Sequence, residues 1–368
     1  VTAMETRAAG LRWNFDPVLD LGREPLWPRF PETYGEDPYL AGLLGAAAVS
    51  GYEEDGLGAV TAVASCAKHF IGYSVTQNGK DRTPAYIPDV RLWELHMPPF
   101  RAAIDAGAAS VMLNSASING VPVHGSKHLI RKVLREELGF DGLIVSDWED
   151  VIRLHTRHRV AETPREAVRM AVEAGLDMSM VPHDFSFADH LVDLVKAGEV
   201  SVERLDESVA IILRLKMELG LFDNPYHEPA ATKNFGLDAY PELALEAARA
   251  MMTLLKNRNG ALPMPKTARV LVAGPTAQNL GPLHGSWSYT WQGADESAYP
   301  ETTLTIYEAL VETLGDENVV LAGAEGFEDP ANYDASALST LTDSVDYVVL
   351  ALGERSYAES PGALDDLN

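Results

Sequence analysis

Over the first 221 residues, short apolar runs alternate with amphipathic helical stretches, and this alternation restricts the fold more than any other feature. Trp13–Leu19, Val63–Lys68, Ser110–Asn114, Leu143–Asp147 and Leu176–Met180 read as strands. Helical patterns fall between them near Tyr39–Glu53, Arg91–Ala106, Ser126–Leu138, Pro164–Glu173 and Asp189–Ala197. Strands separated by crossover helices run parallel, because a hairpin cannot join them. Repeated at this spacing, such units roll into a β/α barrel whose chemistry sits where strands end and loops begin. About five strands are visible against the eight of a closed barrel. The sequence therefore predicts an α/β fold with an incomplete (β/α)8-type barrel over residues 1–223, its other strands expected mainly upstream of Val1.

The helical pattern Val202–Leu219 stops at Gly220-Leu221-Phe222-Asp223-Asn224-Pro225. Residues 224–240 are polar, rich in Pro and Gly, and read as a linker. A helix is expected over Glu242–Lys256. Val270–Ala273, Val319–Ala322 and Tyr347–Leu352 then read as buried strands, with a helix at Thr305–Leu314. Residues 241–368 are thus expected to be the N-terminal part of a second, α/β sandwich domain.

The formal charge of −25 argues against nucleic acid or an anionic membrane surface as partner, and a neutral carbohydrate suits such a surface better. No apolar run approaches the length of a membrane-spanning helix, so no membrane insertion is expected. The single cysteine, Cys66, lies in an apolar run and forms no intrachain disulfide. A homo-oligomer is compatible with the sequence.

The most informative segment is Leu143-Ile144-Val145-Ser146-Asp147-Trp148-Glu149-Asp150, where an apolar strand delivers a carboxylate at its C-terminal tip with an indole beside it. Hydrolysis of an acetal needs a carboxylate against the anomeric carbon and an aromatic face against the sugar. Asp147 as a helix cap and Trp148 as a core residue would give the same pattern. Lys68-His69-Phe70 ends another strand with two side chains able to hold sugar hydroxyls. His96 and His124 follow downstream and neither opens an HExxH zinc motif, so no metal enzyme is expected. Arg29, in the proline-punctuated loop Leu26–Pro38, can offer a fork to vicinal hydroxyls or pair with a nearby acid. Downstream, Gly285–Gly293 interleaves Trp287 and Trp291 with small residues, which suits sugar stacking or interdomain packing. The loop Gly353–Gly362 carries Glu354 and Glu359, either of which could act as a proton donor or simply be solvated.

Together these segments resemble glycoside hydrolase family 3, the β-glucosidase and exo-β-glucanase group with a barrel followed by an α/β sandwich. The resemblance runs in order through Trp13–Pro17, Trp27–Pro38, Ala67–Phe70, Gly120–Pro122, Gly139–Trp148, Gly285–Gly293 and Gly353–Gly362. It implies that Asp147 is the nucleophile and Trp148 one side of an aromatic clamp, the other side being Trp287 or Trp291. It implies that Arg29, Lys68 and His69 grip the nonreducing-end sugar and that Arg153 matches an arginine shortly after the nucleophile. Arg82 matches a site where the family varies. Glu359 matches an acid/base glutamate in a Tyr-x-Glu loop, with Glu354 as fallback.

On this resemblance the expected activity is that of a retaining, exo-acting β-glucosidase that works through a glycosyl ester on Asp147 and needs no cofactor. Retention requires the two carboxyl groups to stand about 5–5.5 Å apart, in a dead-end pocket across the domain interface. The substrate is a β-linked glucoside or oligosaccharide, with β-xylosidase as an alternative. A β-N-acetylglucosaminidase would show a second histidine after Lys68-His69-Phe70, where Gly72-Tyr73-Ser74-Val75 stands instead. A non-catalytic carbohydrate-binding relative is the alternative from a different class. Export is common among relatives, which points to the periplasm or the exterior. Two departures stand out. Ser115 occupies a position where many members have tyrosine, and an upstream aspartate used by the family has no counterpart before Val1. Members also continue beyond Asn368, so an incomplete record of the working protein is expected.

Overall fold

The computed structural model describes residues 1–226, 229, 231–237, 239–324, 326–327 and 335–366. Residues 227, 228, 230 and 238 of the expected linker, and 367–368 at the end of the expected second domain, lie outside the described residues. The chain forms two compact units, one of Val1–Glu246 joined by the residues from Ala363 onward, the other of Ala247–Gly362.

In the first unit the parallel sheet is built from β1 (Cys66–Phe70), β2 (Ser110–Leu113) and a later strand, Leu143–Val145, in the order of the chain. The antiparallel pair β3 (Ser117–Ile118) and β4 (Val121–Pro122) intervenes, making Leu143–Val145 β5. The expected first and fifth strands are present as parallel bridges rather than full ladders. Trp13 pairs with Ala64, Val18 with Lys68, and Met178 with Val145. Pro17 interrupts the first because proline has no N–H to give to a ladder, although its carbonyl accepts from Lys68 N at 2.9 Å. Five parallel segments thus lie side by side in chain order, with no closed barrel among the described residues. The fold is an incomplete β/α barrel, as the alternation predicts.

Helices cover the sheet. Pro38–Glu53 starts under an Asp37 cap that accepts from Tyr39 and Leu40 amides, and Pro164–Ala174 starts under Thr163 and stops at Gly175. The core lies between them and the strands, with Phe70, Phe100, Leu113, Ile130, Leu134, Ile144 and Leu154 almost fully buried. Burying side chains of this size contributes roughly 1.5–3 kcal/mol each.

Two local features aim the C-terminal ends of the strands. The register of β1 against β2 slips by one residue between Ala67 and Phe70, which places a bulge at Lys68-His69. A bulge bends the strand and re-aims its side chains. Beneath β5, Arg135 donates to the carbonyls of Phe140 and Gly142 and pairs with buried Asp177, whose carboxylate accepts from Ile144 N. This clamp fixes the base of the strand that leads to Asp147.

In the second unit, β6 (Val270–Ala273) lies between β7 (Val319–Leu321) and β8 (Tyr347–Leu350), all parallel. The helix Ile306–Leu314 packs on it, and Thr305 and Glu308 form a reciprocal cap. One expectation differs here. Tyr347–Leu352 is not fully buried: Val348 and Leu350, which alternate along β8, are exposed, so one face of this strand is uncovered among the described residues. The helix expected over Glu242–Lys256 spans Ala239–Met251 and ends five residues early.

Candidate active site

Asp147 stands two residues past the end of β5 and is almost fully buried. It caps no helix: the next one, Asp150–Thr156, begins after Glu149, whose φ of 58° turns the chain sharply. The carboxylate is held on both oxygens. Oδ1 accepts from Trp148 N at 2.5 Å and Oδ2 from Ser115 Oγ at 2.8 Å. Arg82 Nη2 lies 3.9 Å from Oδ1, and His69 Nε2 lies 3.9 Å from Oδ2. The Asp147 amide donates to His124 Nε2 at 3.2 Å, leaving His124 neutral with its proton on the other nitrogen. Burial opposes ionisation of Asp147, but Arg82, His69, Arg29 and the Trp148 amide outweigh it and hold its carboxyl well below the usual range. His69 is itself kept neutral by burial and by Arg29, so at neutral pH the cations that matter are Arg82 and Arg29.

The structure brings five more expected residues around this carboxylate or its neighbours. His69 is 1% exposed, and both its Nδ1 (2.8 Å) and its backbone N (3.0 Å) meet Asp20 Oδ2. Burial raises the Asp20 carboxyl to about 7, against the opposing His69 amide. Arg29 is buried and grips Glu32 through Nε (3.0 Å) and Nη2 (2.9 Å), so its fork is oriented by a neighbour in its own loop. Burial and then Arg29 lower the pKa of Lys68, with Glu32 and Asp147 acting the other way. Arg82 donates to Ser115 Oγ at 2.7 Å and lies 3.4 Å from Asp81, which also receives Tyr73 Oη. Trp148 keeps its indole half open to solvent, edge-on to His183 at 5.7 Å.

Arg153 sits one turn along the helix Asp150–Thr156. Its contacts are Asp150 Oδ1 at 3.3 Å and Glu149 Oε2 at 3.5 Å, neighbours of the nucleophile candidate rather than the candidate itself. Asp150, Asp20, Glu32, Tyr73 and Asp81 were not singled out by sequence reasoning. Asp20 carries a signal in hindsight, since it follows the first strand-like segment as Asp147 follows β5.

The remaining expected residues lie in the second unit, where two loops are stitched together. Gln292 Nε2 donates to Ala358 O at 3.1 Å, and Ala358 N donates to Gln292 Oε1 at 3.0 Å. The aromatic loop thereby fixes the residue before Glu359, which is part-buried and has a φ of 55°. Glu354 is held apart, accepting from Tyr357 Oη. Trp287 and Trp291 are both about half exposed, and Trp287 N donates to Trp291 O at 3.0 Å. The loop closes through Gly293, with φ 67° and a position where a Cβ would meet Gly285 O at 2.0 Å, so only glycine fits.

Residues 1–215 match the glycosyl hydrolase family 3 N terminal domain and residues 252–367 the glycosyl hydrolase family 3 C-terminal domain. A lysosomal beta glucosidase of Dictyostelium discoideum is 42% identical, aligned over 100% of this chain and 46% of its own length. A beta-xylosidase of Formosa agariphila is 35% identical over 96% of this chain and 50% of its own. The crystal structure of a beta-glucosidase from Listeria innocua in complex with glucose superposes with a TM-score of 0.88 at 33% identity, covering 99% of this chain and 49% of that one. The chain spans about half the length of these relatives. It belongs to glycosyl hydrolase family 3.

Proposed function

We propose that the chain carries the catalytic machinery of a retaining, exo-acting β-glycosidase, with β-glucosides or β-gluco-oligosaccharides as substrates. The observation that carries this reading is Asp147: a buried carboxylate at a strand tip, ionised and held on both oxygens, with a half-open indole beside it. A nucleophile must be charged and fixed to attack an anomeric carbon, and this one is both. Asp147 attacks C1, and Glu359, protonated, gives its proton to the departing oxygen. Glu359 then acts as base toward the water that hydrolyses the glycosyl ester. Arg29, Lys68 and His69 are assigned to the hydroxyls of the nonreducing-end sugar, with Trp148 and either Trp287 or Trp291 as the clamp. Residues 1–223 supply the nucleophile, 224–240 link, and 241–368 supply the acid/base.

The experiment is release of p-nitrophenol from p-nitrophenyl β-glucoside by the parent and by Asp147→Ala. Activity in the parent, with a loss of three or more orders of magnitude in the variant, supports the reading; a folded, inert parent overturns the choice of substrate. A β-xyloside belongs in the same assay, because the relative from Formosa agariphila carries that name at comparable identity.

A further inference from the structure

Ser115 stands two residues past the end of β2 and is fully buried, and its hydroxyl meets three charged groups. Its oxygen lies 2.8 Å from Asp147 Oδ2 and 2.7 Å from Arg82 Nη1, and it makes a short hydrogen bond with Asp150 Oδ2. Arginine can only donate, so Arg82 occupies a lone pair of the hydroxyl. The one hydroxyl proton then has two carboxylates to choose between. Asp150 is 1% exposed, and its other oxygen faces Arg153 at 3.3 Å, Arg157 at 3.5 Å and Arg82 at 3.8 Å.

We infer that the Ser115 hydroxyl is a catalytic contact that stabilises the Asp147 carboxylate as it leaves the glycosyl ester, and that Asp150 is the positioning residue that takes the same hydrogen bond while Asp147 is esterified. This rests on the glycosidase reading. In the first step an Asp147 oxygen bonds to C1 while the bond from C1 to the aglycone oxygen breaks. The electron pair goes to that oxygen, which takes the proton of the general acid. The resulting ester is a poorer acceptor than a carboxylate, so the Ser115 hydroxyl turns to Asp150. In the second step a water oxygen bonds to C1 and gives its proton to the base. The bond from C1 to Asp147 breaks, its electron pair returns to the carboxylate, and the hydroxyl turns back. A donor that favours carboxylate over ester restrains the first step and speeds the second. A merely structural serine would affect both alike.

The test separates the two steps with dinitrophenyl 2-deoxy-2-fluoro-β-glucoside, which esterifies the nucleophile quickly and hydrolyses slowly. Loss of activity reads ester formation, and recovery after the reagent is removed reads hydrolysis. Ser115→Ala is expected to slow recovery about tenfold, the size of one lost hydrogen bond to a charged group, with formation unchanged or faster. Asp150→Asn leaves the hydroxyl on Asp147, so formation slows several-fold while recovery is unchanged or faster. Equal slowing of both steps in Ser115→Ala, or recovery within twofold of the parent, overturns the inference. Should Ser115→Ala fail to fold by circular dichroism, Asp150→Asn decides alone, and slowed recovery there overturns it. A parent that neither forms the ester nor cleaves any β-glycoside overturns the glycosidase reading as well, which activity in the parent distinguishes.

Discussion

Removing the charge of Arg82 should expose how the nucleophile is kept ionised. Arg82 Nη2 lies 3.9 Å from Asp147 Oδ1, and its side chain is only 10% accessible. At an effective dielectric constant of about 20, two unit charges at that distance interact by about 4 kcal/mol. Divided by 1.36 kcal/mol per pH unit, this corresponds to about 3 pH units, and somewhat less once water enters the vacated space. Burial, which Arg82 now helps to outweigh, would then push Asp147 upward against Arg29, His69, the Trp148 amide and the Ser115 hydroxyl. A carboxylate nucleophile works ionised, so its pKa sets the acid limb of kcat/KM, while a neutral glucoside contributes no limb of its own.

In the parent, the limb from Asp147 should lie below the usual carboxylate range. Arg82→Ala should bring it up by two to three pH units, and Arg82→Lys, which keeps the charge, by less than one. The assay is the pH dependence of kcat/KM for p-nitrophenyl β-glucoside, with brief exposures to acid. If the alanine variant keeps the parent's limb, Arg82 does not set the charge state of Asp147. If alanine and lysine move it equally, lost geometry rather than lost charge is responsible.

Glu359→Gln should cut kcat/KM strongly for substrates with poor leaving groups and far less for dinitrophenyl glycosides, whose aglycone needs no proton; equal losses in kcat/KM would remove Glu359 from the acid role. Gln292→Leu removes both hydrogen bonds to Ala358, and should lower kcat roughly 10–100-fold with a Tm loss of only a few degrees. An unchanged kcat would show that the stitch is not needed for catalysis. Gly142→Ala would place a Cβ 2.5 Å from Ala109 O and 2.7 Å from the Phe140 ring. A destabilisation of roughly 1–3 kcal/mol is expected in urea unfolding, and an unshifted midpoint would mean that β5 has slack.

The parts of this protein that were legible in sequence are those whose signal is local. Runs such as Leu143–Val145 and Val270–Ala273 are continuous apolar segments bounded by turns, which is what a doubly covered parallel strand requires. Asp147 was legible because it follows closely on such a run. Arg82 was faint because it sits in an irregular loop at φ 59°, where no periodicity applies. Asp150 was silent because an acid in the first turn of a helix is ordinary. Its role exists only because Ser115 arrives from the end of β2 and Arg153 and Arg157 from one and two turns along the helix.

The bulk charge shows the limit of composition most sharply. The chain carries 54 acidic residues against 29 basic ones, yet its most consequential carboxylate lies among Arg29, Arg82 and Lys68, with Arg153 and Arg157 one residue further out around Asp150. Those charges act over a few ångströms in a desolvated pocket, whereas the surface acids are screened within about a Debye length. The ionisation that the chemistry needs is therefore set against the average of the sequence, by a handful of cations that folding brings together.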